Sequence, residues 1–416
     1  MKLLIAGIDG YLGYSLARWL STRDDVEVAG VDGGFRREWV SEVGSRSVTP
    51  LSPLVERIAE LERHSRRTIP HWEGDLRDPV LASYVVGQWR PDAVVHFAEC
   101  PSAPYSMIDA DHCRFVQTNN LLTTFNLMFA VLEHGLDTHF VKLGTMGEYG
   151  TPGIPIPEGN APLTYRGAEA VLPFPRQAGS WYHWSKVHGS HNLSFASRLW
   201  GLRVSDIMQG VVFGVFPGER REPSLETRLD IDAVFGTAVH RWCAQAVAGV
   251  PLSVYGIGGQ RRGFIPLEDS LRCIELILRN PADVGQYRVV NQLDEIHRIS
   301  DLAQLVASLA DQRGLNPQVE HVPNPRMELE EHTYEVECSV LASLGYQSRH
   351  QMPADLDAIF DVLMANADVV GDLRDVLSPS VRWQAPPMSP GQESRLSREE
   401  PSSPAGQART TGRARV

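Results

Sequence analysis

The chain has 416 residues, 43 % of them apolar and 22 % charged, and a formal net charge of −12. This length allows two or three domains around a large core. The acidic balance argues against nucleic acid as a partner, and no apolar run approaches the ~18 residues of a membrane-spanning helix.

Lys2–Ala6 reads as a strand and Tyr11–Thr22 as a helix. Because the first strand begins at Lys2, no signal peptide is expected ahead of it. Val26–Val31 reads as a second strand, followed by an extra helix over Pro53–His64. Thr68–Trp72 and Ala93–Phe97 read as the third and fourth strands. A long helix over Thr118–Glu133, a strand over His139–Leu143, a second long helix over Trp181–Trp200 and a strand over Arg203–Met208 follow. Tyr287–Val290 reads as a late strand of the same sheet. Continuous apolar runs separated by helices predict a parallel sheet in an α/β fold. Residues 1–208, with a strand near 287–291, are expected to form the first domain. Residues 209–383 are expected to form mainly a smaller α/β substrate-binding domain. From Gln384 the chain is rich in Pro, Ser, Gly, Glu and Arg, so residues 384–416 are expected to be a disordered tail. Five scattered cysteines with no Cys-x-x-Cys pair fit reduced thiols and a cytoplasmic location.

Gly7-Ile-Asp-Gly10-Tyr11-Leu12-Gly13 sits between the first strand and the first helix. Two glycines allow a tight turn and close approach to a pyrophosphate, the third allows helix–sheet packing, and the helix N-terminus supplies N–H groups. This predicts a Rossmann-type, doubly wound dinucleotide site. Asp32, at the end of the second strand, would accept from the ribose hydroxyls of NAD and repel a 2′-phosphate. Arg36 and Arg37 stand close behind it and would favour NADP; NAD is the preferred reading. Asp75-Leu76 is expected near the adenine, and Phe97-Ala98-Glu99 beside the cofactor.

Tyr182-His-Trp-Ser-Lys186 opens a long helix, placing Tyr182 and Lys186 on one face. An ammonium one turn away favours the phenolate of a tyrosine that must act as a base. Upstream, a strand ends in Leu143-Gly-Thr145-Met-Gly147-Glu148-Tyr-Gly, presenting a hydroxyl suited to a sugar oxygen. His183, His188 and His191 lie on the same helix, but no cysteine or second carboxylate stands at ligand spacing, so no metal is expected.

The glycine turn, Thr145 and Tyr-x-x-x-Lys, in this order, resemble the extended short-chain dehydrogenase/reductases. HFAECPSAPYSMIDA, VKLGTMGEYGTP, SWYHWSKVHGSHN, RLDIDAVFGTA, VYGIGGQRRGF and VPNPRMELEEH further resemble the UDP-sulfoquinovose synthases over about residues 1–383. The resemblance implies conversion of UDP-glucose and sulfite, with NAD kept bound. Tyr182 would take the O4 proton during oxidation at C4, Thr145 would hydrogen-bond O4, and Lys186 would hold the nicotinamide ribose. Glu148 would serve elimination across C5–C6, and His183 the groups near C6. Asn119, Leu143, Gln209 and Val212 would meet the cofactor. Gly147, Gln209, Thr237, Gln260, Arg262 and Arg326 would meet the substrate, the two arginines on its diphosphate. A homodimer through the two long helices is also implied.

One departure stands out. The family carries Gln-Arg where this chain has Cys100-Pro101; either Arg261, an extra charge, compensates, or the chain is a paralogue that uses the 4-keto chemistry on another acceptor or substrate. The rival readings are a UDP-sugar 4-epimerase or dehydratase that never meets sulfite, and a non-catalytic NAD-binding regulator.

Overall fold

In β1 (Lys2–Ala6), every residue after Lys2 is buried, as in a strand covered on both faces. It leads through a glycine turn into α1 (Tyr11–Leu20), then β2 (Glu27–Asp32), α2 (Phe35–Glu42), α3 (Leu54–Ser65) and β3 (His71–Glu73). Next come α4 (Pro79–Trp89), β4 (Ala93–His96), α5 (Ala110–Glu133) and β5 (His139–Thr145). An exposed hairpin, β6 (Asn160–Tyr165) and β7 (Ala168–Pro173), precedes α6 (Trp181–Trp200), β8 (Arg203–Gln209) and β9 (Val211–Phe213). The later elements are α7 (Ala238–Val247), β10 (Leu252–Tyr255), β11 (Arg261–Pro266), α8 (Leu267–Arg279), β12 (Tyr287–Gln292) and β13 (Glu295–Arg298). α9 (Ile299–Asp311), β14 (Val319–Val322), α10 (Ser339–Ser343), α11 (Met352–Ala365) and α12 (Ala367–Asp372) complete them. The structure is a computed structural model and describes residues 1–216, 225–326, 328–381 and 383. The expected tail, 384–416, lies outside the described residues.

Seven strands form one sheet in the order β12-β8-β5-β4-β1-β2-β3, and every pair in it is parallel. The chain winds outward from β1 in one direction, then from β4 in the other. The crevice at the carboxyl ends of β1 and β4 is therefore the switch point where such sheets bind ligands. Leu3, Ile5, Val95 and Val141 pack on one face, with Tyr14 and Leu16 of α1 and Ile274 of α8. Leu4, Val94 and Phe140 pack on the other, with Leu127 of α5 and Leu193 of α6.

Met1–Trp383 forms one compact unit. Within it, β13-β11-β9 and β10-β14 make two small sheets. A separate core of Trp242, Phe264, Val306, Leu356 and Phe360 lies in this later part. α8 and β12 return to the large sheet. We propose this separation of cores as the basis for dividing residues 1–208 from 209–383.

Candidate active site

The turn after β1 depends on glycine. Gly7 has φ +90°, and the Gly10 N–H donates to its carbonyl at 3.2 Å. A Cβ on Gly7 would lie 2.8 Å from the Ala98 nitrogen, and one on Gly13 would overlap the Gly7 carbonyl. Gly10 caps α1 without a side chain, so the first-turn N–H groups are left for a ligand. Gly7, Gly10, Tyr11, Leu12 and Gly13 line one cavity together with Asp32, Asp75, Leu76, Phe97, Ala98 and Glu99. Asn119, Leu143, Gln209 and Val212 complete its far side.

Asp32 accepts from the Asp9 N–H at 2.9 Å and the Gly34 N–H at 2.7 Å. Burial, reinforced by the charge of Asp9, raises its carboxyl to about 6. Asp9 was not singled out in the sequence, where an acid inside a phosphate-binding turn looks unfavourable. It is buried between Arg57 and Arg37, the latter at 2.6 Å, and stiffens the turn. Arg36 lines the cavity, but its guanidinium is committed to Asp230 at 2.7 Å and lies over the Phe235 ring. Asp230 is shared with Arg228 at 3.0 Å, and Arg36 Nη1 is buried without a partner. Glu99 Oε1 is buried without a partner. The glycine cradle, the uncapped helix end, Asp32 and this orphaned acceptor together fit a dinucleotide with ribose hydroxyls.

Pro101, Thr145, Tyr182, Gln209, Gly210, Phe235 and Thr237 line both this cavity and a second one, so the two meet there. Thr145 Oγ1 accepts from the Gly147 N–H at 3.1 Å, which leaves its proton free to donate. Ser180 caps α6, accepting from the His183 N–H at 3.2 Å. The Tyr182 N–H donates to Ser106 Oγ at 3.0 Å. Lys186 Nζ lies 5.7 Å from the centre of the Tyr182 ring. It donates to the Leu143 carbonyl at 2.6 Å and pairs with buried Glu99. Burial and the Glu99 charge push the Tyr182 hydroxyl well up. Burial outweighs the nearby ammonium in the protein without ligands, where the positive charge of a nicotinamide ring does not act. His183 lines the second cavity, and burial together with Arg326 and Arg262 brings its imidazole to about 3. It is neutral at physiological pH. Gly147 also lines that cavity; a Cβ there would overlap the His183 ring.

Glu148 does not reach either cavity. It is fully buried, bound by Arg176 at 2.7 Å, Lys142 at 3.5 Å and the Ser190 hydroxyl at 3.0 Å. Lys142 also faces Asp206 at 3.5 Å. The expectation of acid–base work by Glu148 is corrected: its carboxylate holds the segment entering α6 through Arg176.

Gln260, Arg262 and Arg326 line the second cavity. Arg262 pairs with Glu328, while Gln260 Oε1 and Arg326 Nε are buried without partners. Thr237 caps α7, accepting from the His240 N–H at 3.2 Å. Arg261 is exposed and lines neither cavity, so it does not compensate at position 101. Sequence reading missed Arg241, which is 6 % exposed, lines the second cavity and has an unpartnered Nε. Its signal was a lone arginine one turn inside the otherwise uncharged helix AVHRWCAQAV. Among the described residues no cluster of His, Cys, Asp and Glu is arranged for a metal ion.

The model of the NAD dependent epimerase/dehydratase family matches residues 3–291. The chain belongs to that family. It is 42 % identical over 387 residues to the UDP-sulfoquinovose synthase of Sulfolobus acidocaldarius, covering 93 % of this chain and 98 % of that protein. It is 42 % identical over 384 residues to the chloroplastic UDP-sulfoquinovose synthase of Spinacia oleracea, covering 92 % and 79 %. A crystal structure of UDP-glucuronic acid 4-epimerase from Bacillus cereus, in complex with UDP-glucuronic acid and NAD, superposes with a TM-score of 0.65. That match covers 88 % of this chain and 99 % of the other at 19 % identity, and shows the epimerase/dehydratase fold.

Proposed function

We propose that the chain is a UDP-sulfoquinovose synthase, converting UDP-glucose and sulfite with a retained NAD. The observation that carries this is the junction: Thr145 and Tyr182 border both the dinucleotide cavity and a cavity lined by Arg241, Arg262 and Arg326. The 42 % identity to two such synthases over nearly the whole chain supports the same reading.

NAD, when bound, supplies reversible oxidation at C4 of the sugar. Asp32 and Glu99 would accept from its ribose hydroxyls, and the first turn of α1 would bind its pyrophosphate. Tyr182 takes the O4 proton and later returns it. Thr145 donates to O4 and holds it toward Tyr182. The 4-ketone acidifies C5–H; loss of that proton and of the C6 hydroxyl gives a 5,6-ene, to which sulfite adds at C6. His183, neutral and beside Tyr182, serves the groups near C6. The arginines hold the diphosphate. Incubating the protein with UDP-glucose, with and without sulfite, and weighing the product tests the assignment. A sulfonated product supports it; a C4 epimer or 4-keto-6-deoxy product in both arms overturns it.

That second outcome is the alternative reading, and Pro101 favours it. Pro101 lines both cavities at the position where the family's arginine would offer charge to an anion. A homodimer is supported by the exposed apolar side chains of α5 and α6, including Phe129, Phe195, Leu199 and Trp200. A cytoplasmic location is supported by five unpaired cysteines.

A further inference from the structure

Arg326 is held in an unusual way for a surface-derived arginine. Its guanidinium carbon lies 5.5 Å from the Tyr255 ring centre and 5.5 Å from that of Trp383. Among the described residues no carboxylate stands within ion-pair distance of it. Its backbone is fixed separately, by the Arg326 N–H donating to Asn324 Oδ1 at 3.0 Å. Arg241, also without an ion-paired carboxylate, lines the same cavity as Arg326, and its Nε is buried without a partner. Two cationic groups in one cavity without matching carboxylates await an anion from solution.

Trp383 reaches this place from the end of the compact unit. The chain before it is anchored at Val376, whose carbonyl accepts from the Ala233 N–H at 2.9 Å. It is anchored again at buried Leu377, whose carbonyl accepts from Gln245 Nε2 at 3.0 Å. Beyond these points, the Trp383 side chain lines the second cavity itself. A guanidinium lying over two aromatic rings keeps its N–H edges free while losing rotational freedom.

We propose that Trp383 is a positioning residue of the nucleotide site: with Tyr255 it clamps the Arg326 guanidinium so that its edge meets the diphosphate. This rests on the UDP-sugar reading above and names a part of that site contributed by the last described residue.

The test is calorimetric titration of the full chain with UDP and with uridine, alongside steady-state kinetics with UDP-glucose. Trp383→Ala and Trp383→Leu should weaken UDP by about tenfold, with the loss falling mainly on KM. Trp383→Phe should recover most of it, because a π face is restored. Uridine, which lacks phosphates, should bind each variant as it binds the unaltered protein. Melting temperatures within about 2 °C keep the comparison among folded proteins. The proposal is overturned if UDP affinity is unchanged in Trp383→Ala, or if Trp383→Leu matches Trp383→Phe. Parallel loss of uridine also overturns it, making Trp383 a platform for the base. Failure of the unaltered protein to bind UDP at all would instead sink the UDP-sugar reading.

Discussion

Tyr182 is the base we propose, and its protonation depends on its neighbours. In the protein without ligands, burial and the Glu99 charge favour its protonated form. Tyr182→Phe should lower turnover by about 10²–10⁴-fold with UDP binding nearly intact; Thr145→Ala should cost less. Stopped-flow measurement of bound-NAD reduction checks this, and near-normal reduction in Tyr182→Phe would remove Tyr182 as the base. Asp32 gives a pH prediction. Its carboxyl, raised to about 6 by burial and Asp9, is charged at pH 7.5 and repels a 2′-phosphate. It becomes protonated as the pH falls through 6. The preference for NAD over NADP should therefore narrow toward pH 5, by at most about tenfold per unit, and be flat in Asp32→Asn. Titrating cofactor-free protein with both nucleotides at several pH values measures it. Pro101 offers no charge at the junction, whereas Asn120 already fixes Cys100 by hydrogen bonds at 2.7 and 3.2 Å. Cys100→Gln with Pro101→Arg should raise sulfonated product at low sulfite and leave bound-NAD reduction similar, as product mass will show.

Among elements, α6 spans the expected Trp181–Trp200 because Ser180 and Gly201 mark its ends. α5 begins eight residues before the expected Thr118. Its start lies in the Asp109 cap, which accepts from the Asp111 and His112 N–H groups, and the polar turn after it shows no apolar period. α2 buries only Trp39 and Val40, too little for a periodic signal. The β6–β7 hairpin was also unread: its turn is Arg166-Gly167, both at positive φ, and almost every residue in its strands is exposed. The glycine turn, Thr145, Tyr182 and Lys186 were legible because their chemistry dictates local spacing. Asp9, Arg241 and the burial of Glu148 depend on contacts distant in sequence, which no spacing encodes. The apolar face of α5 and α6 carries its own prediction. Phe195→Glu with Leu199→Glu should turn a dimer into a monomer in sedimentation, with little change in melting temperature; an unchanged mass would rule that face out.

For the whole molecule, the compact unit ends at Trp383, and among the described residues it holds both cavities. A chain ending at Trp383 should match the full chain in activity and melting temperature, whereas a large loss of either would place part of the site in residues 384–416. The dinucleotide cavity is lined by segments far apart in sequence, the glycine turn and the residues Arg228, Asp230, Phe235 and His240. Arg36 is tied to Asp230 across it. A nucleotide retained there between turnovers, as proposed, would have to recover its own oxidation state before the next substrate arrived. Each catalytic cycle would then end at the oxidation level at which it began. Such retention favours substrates that return the two electrons they lend.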